Sequence, residues 1–407
     1  MQPAWRDPSD RSSSLRTRLC AWFGLAVWLA ASACAAPERD PLAIKQVPSE
    51  ADTYLAAMHE QRVARIDRIV ARAERLVDGR GEDATFDVLM ISGGADWGAF
   101  GAGYLAQWQQ LGDAAAFPMP EFDIIAGIST GALIATYIAG QTPERYAGIE
   151  DFYRNTSADW IQFHGLTRLL PSSTSILDTG KIRTEIEAAL DPAIIADLRH
   201  AYADDRPVLA GTTNLDHGRL QYWDLGEVAA ERLEPAPRLV DILMAATAIP
   251  GLFPPVIIDD RLFADGYAVQ GIPAIDPQAA PILRAAWQAR QGERPFPQIR
   301  LWWIYNNQLD IASEAVGLSW LDILYRSYQT MSLTAFKAPL EQSMIAAKSA
   351  RARGIDAIEL RWAAIPDDFV ADPDIKPFDP EITNRLADLG RQVAASPDGG
   401  WHTDLPE

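Results

Sequence analysis

The chain has 407 residues, enough for one large domain or two ordinary ones. Its 48% hydrophobic and 22% charged content is that of a globular protein, not a disordered one. A net charge of −19 argues against a nucleic-acid partner and disfavours adsorption to anionic membranes, so any lipid contact must rest on apolar surface or a covalent anchor.

Residues 1–33 read as a signal peptide. Arg6, Arg11, Arg16 and Arg18 precede an apolar run from Leu19 to Ala33, which is too short and too soon followed by Pro37-Glu38-Arg39-Asp40 to span a bilayer. Ala31-Ser32-Ala33 fits an ordinary cleavage site. Followed by Cys34, the same residues resemble a bacterial lipoprotein signal, with Ala31 where a large aliphatic residue is usual. Cys20 falls inside the removed segment, so the mature chain holds Cys34 alone and has no internal disulfide. Cys34 is therefore the expected lipid attachment site, and the protein is expected at the bacterial cell envelope, anchored at the outer membrane or facing the periplasm. Ordinary cleavage would give a soluble secreted or periplasmic protein instead.

Residues 34–84 read as a tether and an amphipathic helix. Leu55, Val63, Ile66, Ile69, Val70 and Val77 recur at helical spacing, with Ser49 as cap and Asp78-Gly79 as stop. Charges of both signs on this helix predict packing across the main domain. That domain is expected over 85–365. Phe86–Ile91 and Phe122–Ala126 read as buried strands, each followed by a glycine turn and a helix (99–111 and 132–139). Further strands are expected at 207–213, 220–225 and 299–305, a helix at 320–347, and a C-terminal tail over 366–407 with a helix at 381–393. This order predicts an α/β fold, a three-layer sandwich with a central, mainly parallel sheet.

Chemistry concentrates at Gly127-Ile128-Ser129-Thr130-Gly131. A nucleophile on a strand-to-helix elbow needs small residues two positions either side, and the following helix turns its amides toward developing negative charge. Ser129 is the candidate nucleophile. Ser92-Gly93-Gly94-Ala95 ends the first strand and offers backbone donors for an oxyanion. No Lys-Ser/Thr follows it, and its glycine spacing does not match a dinucleotide-binding turn. For the base, none of His59, His164, His200, His217 and His402 sits in a convincing strand-end context. Asp265, delivered by Leu262-Phe263-Ala264 to Gly266, is better placed, although Asp-Gly alone marks a turn. A desolvated aspartate can act as base once burial raises its pKa.

In this order, Ile91-Ser92-Gly93-Gly94, Gly98-Ala99-Phe100-Gly101-Ala102-Gly103, Gly127-Ile128-Ser129-Thr130-Gly131, Ala245–Pro255 and Asp265-Gly266 resemble the patatin-like phospholipases. The resemblance spans roughly residues 86–305. It implies a Ser129–Asp265 dyad without histidine, an oxyanion loop of Gly93, Gly94 and Ala95, and a lipid or phospholipid ester as substrate. Two positions depart from the family: Trp97 replaces a usual Arg or Lys, and Gly271 replaces a usual Asn. Two rival readings stand beside it. One is a Ser-His-Asp esterase using His217 or His402; the other is a non-catalytic envelope lipoprotein that keeps the fold. Asp204-Asp205 and Asp259-Asp260 lack a third ligand at metal spacing and read as turns, so no metal or other cofactor is expected. Trp302-Trp303 is expected to point to the two faces of one strand.

Overall fold

The computed structural model describes residues 39–163, 174–276, 278–311, 313–351, 358–372 and 375–405. The expected signal peptide and Cys34 lie outside the described residues, as does His164. A short helix α1 (Pro41–Gln46) precedes the long α2 (Ala51–Arg80), then β1 (Thr85–Ile91), α3 (Gly98–Leu111), β2 (Ile124–Ile128), α4 (Thr130–Tyr137) and α5 (Pro143–Arg154). An antiparallel pair, β3 (Gln162–Phe163) and β4 (Leu177–Asp178), is followed by α6 (Gly180–Ala189), α7 (Pro192–Ala203), β5 (Val208–Asn214), β6 (Arg219–Asp224), α8 (Leu225–Glu231) and α9 (Ala236–Ala246). Next come β7 (Val256–Ile258), β8 (Arg261–Asp265), α10 (Ala279–Gln291), β9 (Gln298–Tyr305), α11 (Trp320–Arg351), β10 (Ile358–Ala364) and α12 (Pro380–Ala394).

The main sheet runs β10-β9-β1-β2-β5-β8-β7, with β6 also paired to β5. From β10 to β5 every pairing is parallel; β6, β7 and β8 add antiparallel pairings at one side. Alternate residues of the central strands feed two cores. Leu89, Ile91, Trp302 and Ile304 pack toward α3, α4, α5 and α12, whereas Val88, Met90, Leu301, Trp303 and Tyr305 pack toward α2, α10 and α11. Helices thus cover both faces of a mostly parallel sheet, the three-layer α/β arrangement expected. Trp302 and Trp303 fall on opposite faces, each fully buried.

Helix α2 straps the domain with one arginine stripe. Arg62 pairs with Asp276 at 2.7 Å, Arg72 with Asp123 at 2.7 Å and Arg75 with Asp205 at 2.8 Å. It overruns the expected stop at Asp78-Gly79 and ends at Gly81, whose φ of +68° closes the helix by an N–H bond to the Val77 carbonyl. Packing on the domain and an Asp78–Arg294 ion pair at 2.8 Å offset the cost of an internal glycine. The tether is docked from Arg39 onward, which binds Asp216 through two hydrogen bonds of 2.9 and 2.6 Å. The expected C-terminal tail is a wall of the domain: α12 buries Ile382, Leu386 and Ala387 against α3 and ties Arg391 to Glu150 at 2.6 Å. Asp205, Asp259 and Asp260 adopt positive φ in turns, and Asp259 is held by Arg238.

Candidate active site

Ser129 sits between β2 and α4 with φ +54°, a left-handed conformation that a non-glycine residue holds only when its surroundings impose it. The flanking glycines explain how. A Cβ on Gly127 would overlap the Gly131 carbonyl, and one on Gly131 would overlap the Ile91 carbonyl, so side chains at either position would force the elbow open.

Asp265 reaches Ser129 through sheet register. The first half of β5 pairs with β2, where Ile128 is opposite Gly211. The second half pairs on the same side with β8, where Asp265 is opposite Thr212. β6 occupies the other side throughout. The ends of β2 and β8 therefore meet, and Ser129 and Asp265 with them. Asp265 is wholly buried. Its Oδ1 accepts the Tyr267 N–H at 2.9 Å, while Oδ2 lacks an aligned donor. Burial raises its pKa to about 7, against the opposing pull of the Ser129 hydroxyl and the Tyr267 amide. The serine is thus near enough to act on the carboxylate without forming a full hydrogen bond to Oδ2.

The glycine turn after β1 stands beside this pair, with one correction. The Gly93 N–H is spent on the Gly271 carbonyl at 2.9 Å, so Gly93 is not an oxyanion donor. Among the described residues, the Gly94 and Ala95 N–H groups have no protein acceptor. Two residues that sequence reasoning missed hold this turn. Asn306 accepts from Gly101 N–H at 2.9 Å and donates through Nδ2 to Ser92 O at 2.9 Å, and Asn307 Nδ2 donates to Gly93 O at 2.7 Å.

This order of elements has a counterpart among known proteins. The sequence model of the patatin-like phospholipase family matches residues 89–277. These residues are a patatin-like phospholipase domain. The cGAMP-activated phospholipase of Pseudomonas aeruginosa (strain BWHPSA011 / Pa011) is 26% identical over 204 residues, covering 47% of this chain and 55% of that protein. The chain thus matches about half the length of that curated relative. VipD from Legionella pneumophila aligns over 78% of this chain and 68% of its own, with 12% identity and a TM-score of 0.33.

The two departures from the patatin-like pattern have structural counterparts. Trp97 packs edge-on against Phe369, with ring centroids 5.8 Å apart, and joins the main core. Gly271 supplies the carbonyl that holds Gly93, and its own N–H reaches Ala335 O on α11 at 3.1 Å. An apolar hollow opens beside Ser129, walled by Leu133, Phe152, Trp160, Ile186 and Phe253 among others. The histidines of the triad alternative are engaged elsewhere: His217 stacks on Tyr54 at 3.9 Å and His402 on Trp362 at 4.4 Å. Among the described residues, no histidine hydrogen-bonds Ser129 or Asp265.

Proposed function

We propose that this protein is a serine acyl hydrolase acting on lipid or phospholipid esters, of phospholipase A or lysophospholipase type, with Ser129 as nucleophile and Asp265 as base. The observation that carries the proposal is Ser129, strained on its elbow, beside a buried carboxylate whose pKa stands at about 7. As Ser129 Oγ attacks the ester carbonyl carbon, Asp265 takes the hydroxyl proton. The carbonyl oxygen, now an oxyanion, is received by the Gly94 and Ala95 N–H groups. The intermediate collapses and the carbon–oxygen bond to the alcohol breaks. Asp265 returns the proton to the leaving oxygen, which leaves an acyl-Ser129. Water then repeats the sequence, releasing the carboxylic acid and restoring both residues.

The lipid assignment draws on the family name, on a relative described as a phospholipase and on the apolar cavity at the nucleophile. The test compares the full chain with Ser129→Ala and Asp265→Asn on p-nitrophenyl octanoate and phosphatidylcholine vesicles. Each substitution should cost roughly three orders of magnitude or more in kcat. A fluorophosphonate probe should label Ser129; a chain that neither turns over esters nor takes the label would be a binding protein. The proposal extends to an envelope location through lipidated Cys34, supported by Ala31-Ser32-Ala33-Cys34. Intact-mass measurement of the mature chain checks it, and a start at unmodified Cys34 or further downstream removes it.

A further inference from the structure

Helix α11 carries a proline, Pro339, in its interior. The helix lies beyond residues 89–277, the segment that matches the patatin-like family, yet it reaches the oxyanion turn. A proline has no N–H, so the carbonyl four residues earlier, that of Ala335, loses its ordinary helical donor. That carbonyl accepts the Gly271 N–H instead, at 3.1 Å. The Gly271 carbonyl in turn accepts the Gly93 N–H at 2.9 Å, directly before the two amides open to an oxyanion. The proline ring also crowds the Ala335 carbonyl, which cannot settle back along the helix axis.

Packing around these two bonds leaves position 271 no room for a side chain. A Cβ there would stand 2.5 Å from the Phe336 ring, so any side chain, the usual Asn included, would force α11 off the loop. Phe336 is itself fixed. It is buried, its ring packs on Tyr267 with centroids 5.6 Å apart, and its carbonyl accepts the Tyr305 hydroxyl at 3.4 Å. Tyr305 immediately precedes Asn306 and Asn307, which hold Ser92 and Gly93. We propose that Pro339 is a positioning residue for the oxyanion turn. By withholding an N–H it leaves the Ala335 carbonyl to hold the Gly271 loop, and Gly271 holds Gly93 so that the Gly94 and Ala95 amides meet the oxyanion. The inference rests on the acyl hydrolase reading and adds a C-terminal helix to the machinery of that site.

Pro339→Ala returns an N–H to α11, which competes with Gly271 for the Ala335 carbonyl. Removing a proline from a helix interior favours the helix, so the melting temperature should hold or rise. The kcat for p-nitrophenyl butyrate should nevertheless fall roughly tenfold, less than the outright loss of an oxyanion donor, with KM little changed. Gly271→Ala breaks the same link from its other end and should lower kcat further. Hydrogen–deuterium exchange of the full chain, wild type against Pro339→Ala, gives a readout that needs no turnover. The Gly93 and Gly271 amides should exchange about tenfold faster in the variant, as the loss of one hydrogen bond predicts. An unchanged kcat in Pro339→Ala, or a fall matched by a lower melting temperature, would overturn the proposal. So would unchanged exchange at both amides, whatever the activity. A wild type without hydrolysis, whose two amides nonetheless loosen in the variant, would keep the link between α11 and the turn and remove the hydrolase reading.

Discussion

Ser129 and Asp265 stand at the meeting ends of two strands that share one side of β5. Ile128 pairs with Gly211 and Asp265 with Thr212, the next residue along that strand. Their spacing is thus set by backbone ladders, whose register cannot slip by one residue without turning every buried side chain to the wrong face. Further bonds fix Asp265: its N–H donates to Ala248 O at 2.9 Å, and Thr213 Oγ1 donates to its carbonyl oxygen at 2.9 Å. A site built on strand ends is pre-organised, and its behaviour with pH should be that of one carboxylate.

That carboxylate gives the first prediction. Burial raises the Asp265 pKa to about 7. Only the ionised form can take the Ser129 proton, so kcat/KM for a neutral ester should rise about tenfold per pH unit below pH 7 and level off above it. Asp265→Glu, if it retains activity, should move the midpoint, whereas single substitutions of the histidines should not. A pH–rate profile between pH 5 and 9 decides it. A midpoint that shifts with a His217 or His402 substitution would favour a triad.

Much of this site was legible in the sequence, because its parts are local. The Gly127–Gly131 spacing describes a turn whose sterics are complete within five residues, and the strand-turn-helix order on either side needs only period and composition. Asp265 was weaker evidence, since Asp-Gly marks any turn, and only register across β5 shows where it lands. Asn306 was not legible at all: its side chain holds Ser92, 214 positions away, and nothing in Tyr305-Asn306-Asn307 marks it locally. The occupied Gly93 amide is of the same kind, because its acceptor Gly271 lies on a distant loop. Strand β10 also escaped notice. Its Glu359 and Arg361 break the apolar run, and Arg361 is accommodated over the Phe117 and Trp302 rings at 4.4 and 4.9 Å.

The same pKa predicts a conflict between activity and stability. The native carboxyl holds its proton to about pH 7, whereas an unfolded one loses it near its ordinary value of 3.8. Between those values the native chain binds more protons, so stability falls as pH rises. Asp265→Asn abolishes that dependence while its amide oxygen can still accept the Tyr267 N–H. The variant should match wild type near pH 4 and exceed it above pH 7, by up to about 4 kcal/mol. Thermal unfolding at pH 5 and pH 8 measures this, and a wild-type advantage at pH 8 would contradict it.

Asn306 should matter to turnover more than to substrate affinity. It is wholly buried, and its amide fixes both Ser92 and the first turn of α3, on either side of Gly94 and Ala95. Asn306→Ala should lower kcat by roughly tenfold to a hundredfold, approaching the cost of losing an oxyanion donor. KM should change little. Stability should fall by about 1–3 kcal/mol, because the Gly101 N–H is left buried without an acceptor. A variant with an unchanged kcat would separate Asn306 from the reaction.

The strap formed by α2 makes a prediction remote from the site. Asp123 is almost wholly buried immediately before β2, where it accepts from Arg72 Nε at 2.7 Å and from the Asp87 N–H at 2.8 Å. Burial already raises its pKa despite both bonds. Arg72→Met keeps much of the aliphatic stem but leaves a buried carboxylate without its cation, a change that costs about 3–5 kcal/mol. Adding Asp123→Asn to Arg72→Met should recover much of the loss, since the neutral amide needs no counter-ion. Urea unfolding of the single and double variants tests the coupling. If the two losses simply add, α2 holds the domain by its apolar face alone; if they do not, the strap is electrostatic at the residue that leads directly into the strand ending at Ser129.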